Sequence, residues 1–402
     1  MHDARRHLRF ATRAVHAGER MPRPDFVPVS TPIYPSVGYL YEDLDDLDAI
    51  FGGAREGYVY MRYGNPTVAA FERAVAALEE GETALAFGSG MAAIHAALLG
   101  SGIRSGSAAV VARDVYGATY ALLGRLLASQ GVTVRWVDVS DLAQVETACG
   151  ELKPAILFVE TVSNPLLKVA DIPALARIAH AHGAVLAVDN TFATPYLCRP
   201  LAEGADLVVH SATKYIGGHG DAMGGVVVTS AERRGAIYEV LKITGGNLGP
   251  QEAWLLLRGI KTLPLRMGQH CANALQVANG LARMGQIRRV IYPGRPDHPQ
   301  HSLATRLFGG RGYGGMVAFE LLHGGQDAVF RFFQALELCL PATTLGDVYS
   351  LVLYPAHSSH RALTAEERAT VGIGDGLVRM SVGIEDGEDI LADVRQALEA
   401  IS

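Results

Sequence analysis

Short apolar runs alternate with helix-like patterns along the middle of the chain, from Pro66 to about Leu265. Each run is rich in β-branched or small apolar residues and stops at small or polar ones, which is typical of buried strands. The predicted strands cover 84–88, 108–113, 133–139, 155–161, 184–189, 206–210 and 224–229. Because helix patterns separate these strands, we predict an α/β fold whose large, mostly parallel seven-stranded sheet carries helices on both faces.

The pattern changes after the glycine-rich stretch 245–250, where a long helical pattern begins. Beyond it we predict two strands and a closing helix, at 314–320, 376–382 and 388–401. The sequence therefore predicts a large domain at 66–265 and a smaller α+β C-terminal domain at 266–402.

The first part of the chain, 1–65, is rich in proline and reads as loop. Such a segment has little apolar periodicity of its own and is expected to form an extended arm. Because an arm of this kind cannot bury itself, we expect it to contact a neighbouring subunit.

Two strand-end residues indicate cofactor chemistry. Asp189 ends the apolar run 184–189, and Lys214 follows the run 206–210 at the edge where open α/β sheets hold ligands. A lysine amine can form a Schiff base with pyridoxal phosphate (PLP), and an aspartate can keep the pyridine nitrogen protonated. Taken singly, the aspartate could be a helix N-cap and the lysine a solvated surface charge.

A phosphate-type loop strengthens the cofactor interpretation. Ser89, Gly90 and Met91 follow the apolar run 84–87 and open a helical pattern, so backbone N–H groups and a helix dipole would face an anion. The third glycine of a dinucleotide fingerprint and the G-K-[ST] of a P-loop are both missing. Ser211 and Thr213, which alternate beside Lys214, are expected to reach the same phosphate.

Composition excludes several classes. The 402 residues carry 35 basic and 41 acidic side chains, a net charge of −6 that argues against a nucleic-acid surface. No apolar stretch approaches the ~20 residues of a membrane helix, and the charged N-terminus lacks a signal-peptide pattern, so we expect a cytoplasmic enzyme. The four cysteines are far apart and are expected to be reduced core thiols, with no metal site.

Eight segments, in order along nearly the whole chain, resemble the Cys/Met-metabolism (trans-sulfuration) family of PLP-dependent enzymes. They are Tyr60–Thr67, Ser89–Ile94, Asp114–Tyr120, Glu160–Leu167, Val188–Phe192, His210–Tyr215, Arg258–Leu263 and Val378–Asp386. The resemblance implies the type I, aspartate-aminotransferase-like fold of the PLP-dependent transferases. It also implies a homo-oligomer, expected to be a tetramer built from two dimers, each of which shares its active sites between subunits.

The family implies further site residues. Tyr116 resembles the tyrosine that stacks on the cofactor ring and moves protons near the leaving group, and Asn164 the residue that bonds the phenolic oxygen. Arg379 is expected to bind the substrate carboxylate, with Thr344 beside it where relatives usually carry serine. Tyr60 and Arg62 resemble residues that reach the phosphate from the adjacent subunit, with Tyr60 also near the substrate. The expected catalytic residues are Lys214, Tyr116 and Asp189.

The segments 345–347, 363–369 and 258–274 most resemble methionine γ-lyases and cystathionine γ-lyases, which predicts a C–S γ-lyase acting on methionine, homocysteine or cystathionine. The sequence departs from that pattern at 358–360, where Ser-Ser-His replaces the usual Met-Thr-His or Thr-Thr-His, and at three single residues. Tyr349 replaces a glutamate, Ala118 a cysteine and Ile243 an aspartate, and the last two predict a broad preference among thioethers.

Three alternatives stay open. The first is a γ-replacement enzyme that uses an acylated homoserine, namely an O-acetyl- or O-succinylhomoserine sulfhydrylase or a cystathionine γ-synthase. The second is a cystathionine β-lyase. The third is a PLP-binding regulatory protein without turnover, which nothing in the sequence favours.

Overall fold

The computed structural model describes residues 8–17, 28–41, 43–358, 361, 364, 366, 368 and 372–401. Its large sheet has seven strands in the order β1-β7-β6-β5-β4-β2-β3. β7 is antiparallel to both neighbours, and the other pairs are parallel. The strands are β1 (Thr83–Phe87), β2 (Ala108–Ala112), β3 (Thr133–Val137), β4 (Ile156–Glu160), β5 (Val185–Asp189), β6 (Leu207–Ser211) and β7 (Gly225–Thr229). The predicted mostly parallel, seven-stranded sheet is confirmed.

Both faces of this sheet are covered. Every residue of β4 and of β7 is buried, and successive strand residues point to opposite faces, so neither face is open to water. The helices up to the end of the large sheet's region are α1 (Phe10–His16), α2 (Leu44–Phe51), α3 (Pro66–Glu79), α4 (Gly90–Gly100), α5 (Gly117–Ala121), α6 (Leu142–Leu152), α7 (Ile172–Ala181), α8 (Thr194–Leu197), α9 (Ala231–Thr244) and α10 (Pro250–Ile260). A π-helical stretch, Leu122–Leu127, continues α5.

A polar side chain caps the start of α3. Asn65 caps α3, accepting hydrogen bonds from the backbone N–H groups of Thr67 and Val68, and Pro66 occupies the first helical turn. Proline is favoured there because the first-turn N–H groups lack helical partners. The prediction that 1–65 is loop-rich missed α1 and α2, which are short and lie on either side of the proline-rich stretch 22–35.

A second sheet of five strands follows, in the order β10-β11-β12-β9-β8. Its strands are β8 (Ile287–Ile291), β9 (Met316–Leu321), β10 (Leu340–Pro341), β11 (Leu351–Leu353) and β12 (Leu377–Ser381). The helices here are α11 (Leu263–Leu281), α12 (His301–Phe308), α13 (Gln326–Ala335) and α14 (Gly387–Glu399), with a 3-10 turn at Pro355–His357. The two predicted strands and the closing helix are present, whereas β8, β10 and β11 were not predicted.

The long helix α11 joins the two cores. Met267 and Cys271, in its first half, pack into the core of the large sheet, and Ala274 and Val277, in its second half, pack into the core of the small sheet. The predicted division after residue 265 falls within this helix, so the domain boundary stays a prediction.

The four cysteines are buried and unpaired. Within the described residues, no group of histidines, cysteines and carboxylates is placed to hold a metal ion. None of the helices in the described ranges combines the length and apolarity that a membrane span requires.

Candidate active site

The carboxyl ends of β4, β5 and β6 meet at one edge of the large sheet. These strands are parallel neighbours, and each ends on a polar residue: Glu160, Asp189 and Ser211. The register of β4 and β5 puts Glu160 directly beside Asp189. Lys214 follows β6 in the next turn, so the topology brings the predicted amine and carboxylate to the same edge.

A cleft opens at this edge, with about 970 Å³ of space that is partly open to solvent. Most of the predicted site residues line it, namely Ser89, Gly90, Met91, Tyr116, Asn164, Asp189, Ser211, Thr213, Lys214 and Arg379. Thr344, Tyr60 and Arg62 are not among the described residues that line the cleft of their own chain.

The start of α4 forms an anion-binding cradle. Ser89 caps the helix, and its Oγ accepts a hydrogen bond from the backbone N–H of Ala92 at 3.1 Å. A Cβ atom on Gly90 would lie 2.9 Å from the Cβ of Ser211, so glycine lets this turn approach the end of β6. The first-turn N–H groups of Gly90 and Met91, at the positive end of the helix dipole, suit a phosphate.

Thr213 faces the cleft from the turn after β6. Its hydroxyl donates to the carbonyl oxygen of Gly224 at 3.2 Å and accepts from the N–H of Gly224 at 3.0 Å. This pair of bonds fixes the turn that precedes Lys214 against the start of β7.

Thr191 donates the hydrogen bonds that fix the Asp189 carboxylate. Its Oδ1 accepts hydrogen bonds from the N–H of Thr191 at 3.0 Å and from the Thr191 hydroxyl at 2.5 Å. The same hydroxyl oxygen accepts from the N–H of Ser211 at 2.8 Å. Burial raises the pKa of Asp189, although the Thr191 bonds and His210 oppose this shift. A cation bound beside the carboxylate would stabilise its ionised form, which is what a protonated pyridine nitrogen offers.

The Lys214 amine lies inside the cleft and donates to the Thr344 hydroxyl at 2.9 Å. Burial lowers the pKa of Lys214, Arg379 lowers it further, and Asp347 acts in the opposite direction. A lowered pKa increases the fraction of neutral amine near pH 7, and only the neutral amine is a nucleophile or a base.

Arg379, the central residue of β12, extends its guanidinium to the cleft. Nη1 donates to Oδ1 of Asn164 at 3.1 Å, and Nη2 donates to the carbonyl oxygen of Thr344 at 3.2 Å. The side chain is buried, which lowers the pKa of Arg379 to about 10. Among the described residues its Nε has no hydrogen-bond partner. A buried guanidinium without a carboxylate partner favours binding of an anion.

Thr344 thus lies next to both cationic side chains that line the cleft, one on its hydroxyl and one on its carbonyl. Tyr116 lines the cleft from the position just before α5, and 47% of its surface is exposed. An exposed ring at the mouth of a cleft is available for stacking.

Tyr60 and Arg62 lie away from the cleft of their own chain. The Arg62 guanidinium donates to the carbonyl oxygen of Lys242 at 2.6 Å and lies 4.7 Å from the centre of the Tyr63 ring. Their predicted roles therefore depend on the cleft of a second subunit.

The predicted broad preference among thioethers rests on Ala118 and Ile243. Neither lines the cleft of its own chain, and Ile243 has 80% of its surface exposed. Their expected effect on substrate preference stays a prediction.

Sequence reasoning missed several residues of the cleft, namely Ile94, Glu160, Val162, Thr191, Phe192, Met223, Thr343 and Leu345. Glu160 had a usable signal, because it ends β4 as Asp189 ends β5. For Thr191 the signal was its position two residues after a strand-end aspartate, where a hydroxyl commonly closes a turn on the carboxylate.

An amine at a strand end, a buried carboxylate and a helix start that suits phosphate surround one cleft. This is the donor set that PLP requires, and the α/β fold with its smaller second sheet makes the protein a PLP-dependent enzyme of type I.

Comparison with known proteins gives the family. Residues 11–399 match the family described as Cys/Met metabolism PLP-dependent enzymes, and the chain belongs to this family. A solved structure of cystathionine gamma-lyase from Lactobacillus plantarum superposes with a TM-score of 0.91 at 38% identity, covering 98% of this chain and 99% of that one. A cystathionine gamma synthase structure from Xanthomonas oryzae gives 0.90 at 37% identity and 98% of both chains.

Relatives with an assigned function include a sulfhydrylase and two kinds of γ-lyase. O-succinylhomoserine sulfhydrylase of Pseudomonas aeruginosa is 45% identical over 98% of this chain and 96% of its own. L-methionine gamma-lyase of Pseudomonas putida is 44% identical over the full length of both chains. Cystathionine gamma-lyase of Bacillus subtilis is 46% identical over 87% of this chain and 90% of its own.

Proposed function

We propose that the protein is a PLP-dependent carbon–sulfur γ-lyase that degrades methionine, homocysteine or cystathionine. Water and the sulfur amino acid give 2-oxobutyrate, ammonia and the corresponding thiol. The observation that carries this proposal is the full-length identity of 44% with an L-methionine gamma-lyase, supported by 46% with a cystathionine gamma-lyase.

The cleft supplies the groups that this reaction needs. When bound, PLP stores the electron pair that remains after a proton leaves the α-carbon. Arg379 binds the α-carboxylate of the substrate through its guanidinium fork. The Lys214 amine, whose pKa is lowered by burial, accepts the α-proton in its neutral form and returns it. Tyr116 donates a proton to the departing sulfur from the exposed side of the cleft.

Other residues bind and orient. The first turn of α4, together with Ser211 and Thr213, binds the phosphate, and Asp189 bonds the pyridine nitrogen. Asn164 accepts from Arg379 through Oδ1, which leaves its amide Nδ2 to donate to the phenolic oxygen.

We also propose that two subunits build each site, with Tyr60 and Arg62 reaching the neighbour's phosphate, and that such dimers pair into tetramers. The placement of Arg62 outside its own cleft supports the sharing of sites. A cytoplasmic location stays a prediction from composition.

A γ-replacement reaction is the second candidate, because the O-succinylhomoserine sulfhydrylase is as similar to this chain as the lyases are. In that reaction a thiol or sulfide replaces the acyl group of an activated homoserine, and no oxo acid forms. The carboxylate, amine and cofactor groups described above serve both reactions equally.

Product analysis separates the two candidates. The purified protein is offered methionine, homocysteine, cystathionine, O-acetylhomoserine and O-succinylhomoserine, each with and without sulfide. We expect 2-oxobutyrate and ammonia from the thioethers without sulfide. If the thioethers yield no oxo acid and sulfide is joined to an acylated homoserine, the replacement enzyme is the correct assignment. Pyruvate from cystathionine would instead indicate a β-lyase.

A further inference from the structure

Glu160 lines the cleft and has no part in the reaction proposed above. It is the last residue of β4, its side chain is buried, and the strand register sets it beside Asp189. Neighbouring residues on adjacent parallel strands point to the same face of a sheet, so both carboxyl groups face the cleft. A buried acid at such a position requires hydrogen-bond partners.

Its partners lie on two segments that the cofactor would contact. Oε1 accepts a hydrogen bond from the backbone N–H of Tyr116 at 2.6 Å. The backbone N–H of Asn164 also interacts with this carboxyl group and acts to lower its pKa. Tyr116 opens α5, whereas Asn164 lies in the turn after β4, so one side chain connects two separate loops.

The electrostatic surroundings do not favour a charged carboxylate. Burial raises the pKa of Glu160 well above its usual range, and the neighbouring acids Asp189 and Asp114 raise it further. Lys168 bonds Asp114 at 3.2 Å and Asp138 at 3.0 Å, so its charge is shared by two other carboxylates. A neutral carboxyl group keeps a carbonyl oxygen that accepts N–H bonds, so these contacts do not require ionisation.

We propose that Glu160 is a positioning residue, whose side-chain oxygen sets the Tyr116 ring and the Asn164 turn against the bound cofactor by accepting their backbone N–H groups. The inference rests on the proposed roles of Tyr116 and Asn164. This positioning role requires an acceptor oxygen at the end of a side chain as long as that of glutamate. It does not require a negative charge.

Two substitutions distinguish the effect of the length of the Glu160 side chain from the effect of its charge. Glu160→Gln keeps the length and an acceptor oxygen but cannot ionise, whereas Glu160→Asp keeps the acid but withdraws it by one methylene. We expect the apo form of Glu160→Gln to bind PLP within about threefold of the unmodified protein. Glu160→Asp should bind it about tenfold more weakly or worse, because a buried N–H loses its acceptor. The circular dichroism band of the bound cofactor should change in Glu160→Asp alone, since it reports ring stacking.

Glu151→Asp is the matched control, because it shortens an exposed glutamate on α6 by the same methylene. It should change neither the affinity for PLP nor the circular dichroism band of the bound cofactor. Thermal unfolding of the apo-proteins checks folding. If Glu160→Asp does not fold, Glu160→Leu removes the acceptor at nearly unchanged volume and should weaken binding in the same way. Binding by Glu160→Asp that equals the unmodified protein, or equal weakening in Glu160→Gln, overturns the inference. An unmodified protein that binds no PLP would instead refute the proposed function.

Discussion

At the scale of single residues, the cleft brings two cationic side chains into contact with one threonine. Lys214 bonds the hydroxyl of Thr344 and Arg379 bonds its carbonyl oxygen, so the two cations lie close together in a buried site. Burial lowers the pKa of both groups, and the charge of Arg379 lowers the pKa of Lys214 further. An amine with a lowered pKa is suited to form a covalent bond with an aldehyde.

Reduction of the holoenzyme with borohydride should therefore fix the cofactor on Lys214, as peptide mapping by mass spectrometry would show. Lys214→Ala should still bind PLP without a covalent link, because the phosphate cradle is unchanged, and should lose turnover by about 10³-fold or more. Lys242 and Lys261, which do not line the cleft, are the internal controls. An adduct on either of them would refute the assignment of Lys214.

At the scale of elements, the phosphate cradle depends on how closely β7 approaches the turn before α4. Gly225 pairs with Phe87 on one side and with Ser211 on the other. A Cβ atom on Gly225 would lie 2.2 Å from the carbonyl oxygen of Ser89 and 2.8 Å from the Cα of Gly90. Both atoms belong to the backbone, so any side chain at 225 must displace the cradle itself.

Gly225→Ala should weaken PLP binding to the apo-protein by about 1–3 kcal/mol, the usual cost of overpacking, or about tenfold for each 1.4 kcal/mol. Gly235→Ala is the matched control, because its Cβ would meet open space on the exposed side of α9. That change should leave PLP binding unaltered and stabilise the helix by about 0.5–1 kcal/mol. Titration of the apo-proteins with PLP and thermal unfolding measure both effects. Equal PLP affinities for the two variants would show that the cradle tolerates displacement.

At the scale of the whole molecule, apolar side chains of the N-terminal segment are exposed. Leu40, Leu44 and Phe51 expose 103%, 72% and 59% of their surfaces. Clustered exposed apolar residues are typical of an interface with another chain. The same segment leads to Arg62, whose guanidinium lies outside its own cleft.

If Arg62 serves the neighbouring subunit, inactive variants should restore each other. Lys214→Ala and Arg62→Ala homodimers should each be nearly inactive. After full exchange of equal amounts, about one quarter of the unmodified activity should return, because half of the dimers are mixed and one of their two sites is intact. Lys214→Ala mixed with Asp189→Asn is the control and should stay inactive, since both residues serve their own chain. Verified exchange without recovery would place Arg62 at the site of its own chain.

The sequence by itself determined the large sheet and the residues at its edge. Alternation of apolar runs with helix patterns is a local signal, so all seven strands of that sheet were predicted close to their observed bounds. Lys214 and Asp189 were recognised for the same reason, because each follows or ends a buried strand. The short strands β10 and β11 were missed, since two or three residues carry no readable period.

The tertiary structure alone decided which side chains meet. Asn164 and Arg379 are 215 residues apart, and Lys214 and Thr344 are 130 apart, yet each pair is in hydrogen-bond contact. Glu160 came to lie beside Asp189 only through the register of two strands. Strand and helix patterns depend on neighbours along the chain, whereas these contacts depend on sheet order and on the packing of the small sheet against the large one. Local patterns contain no information about sheet order or about the packing of the two sheets. For this physical reason the sequence identified the cofactor but not the hydrogen bonds that position the residues around it.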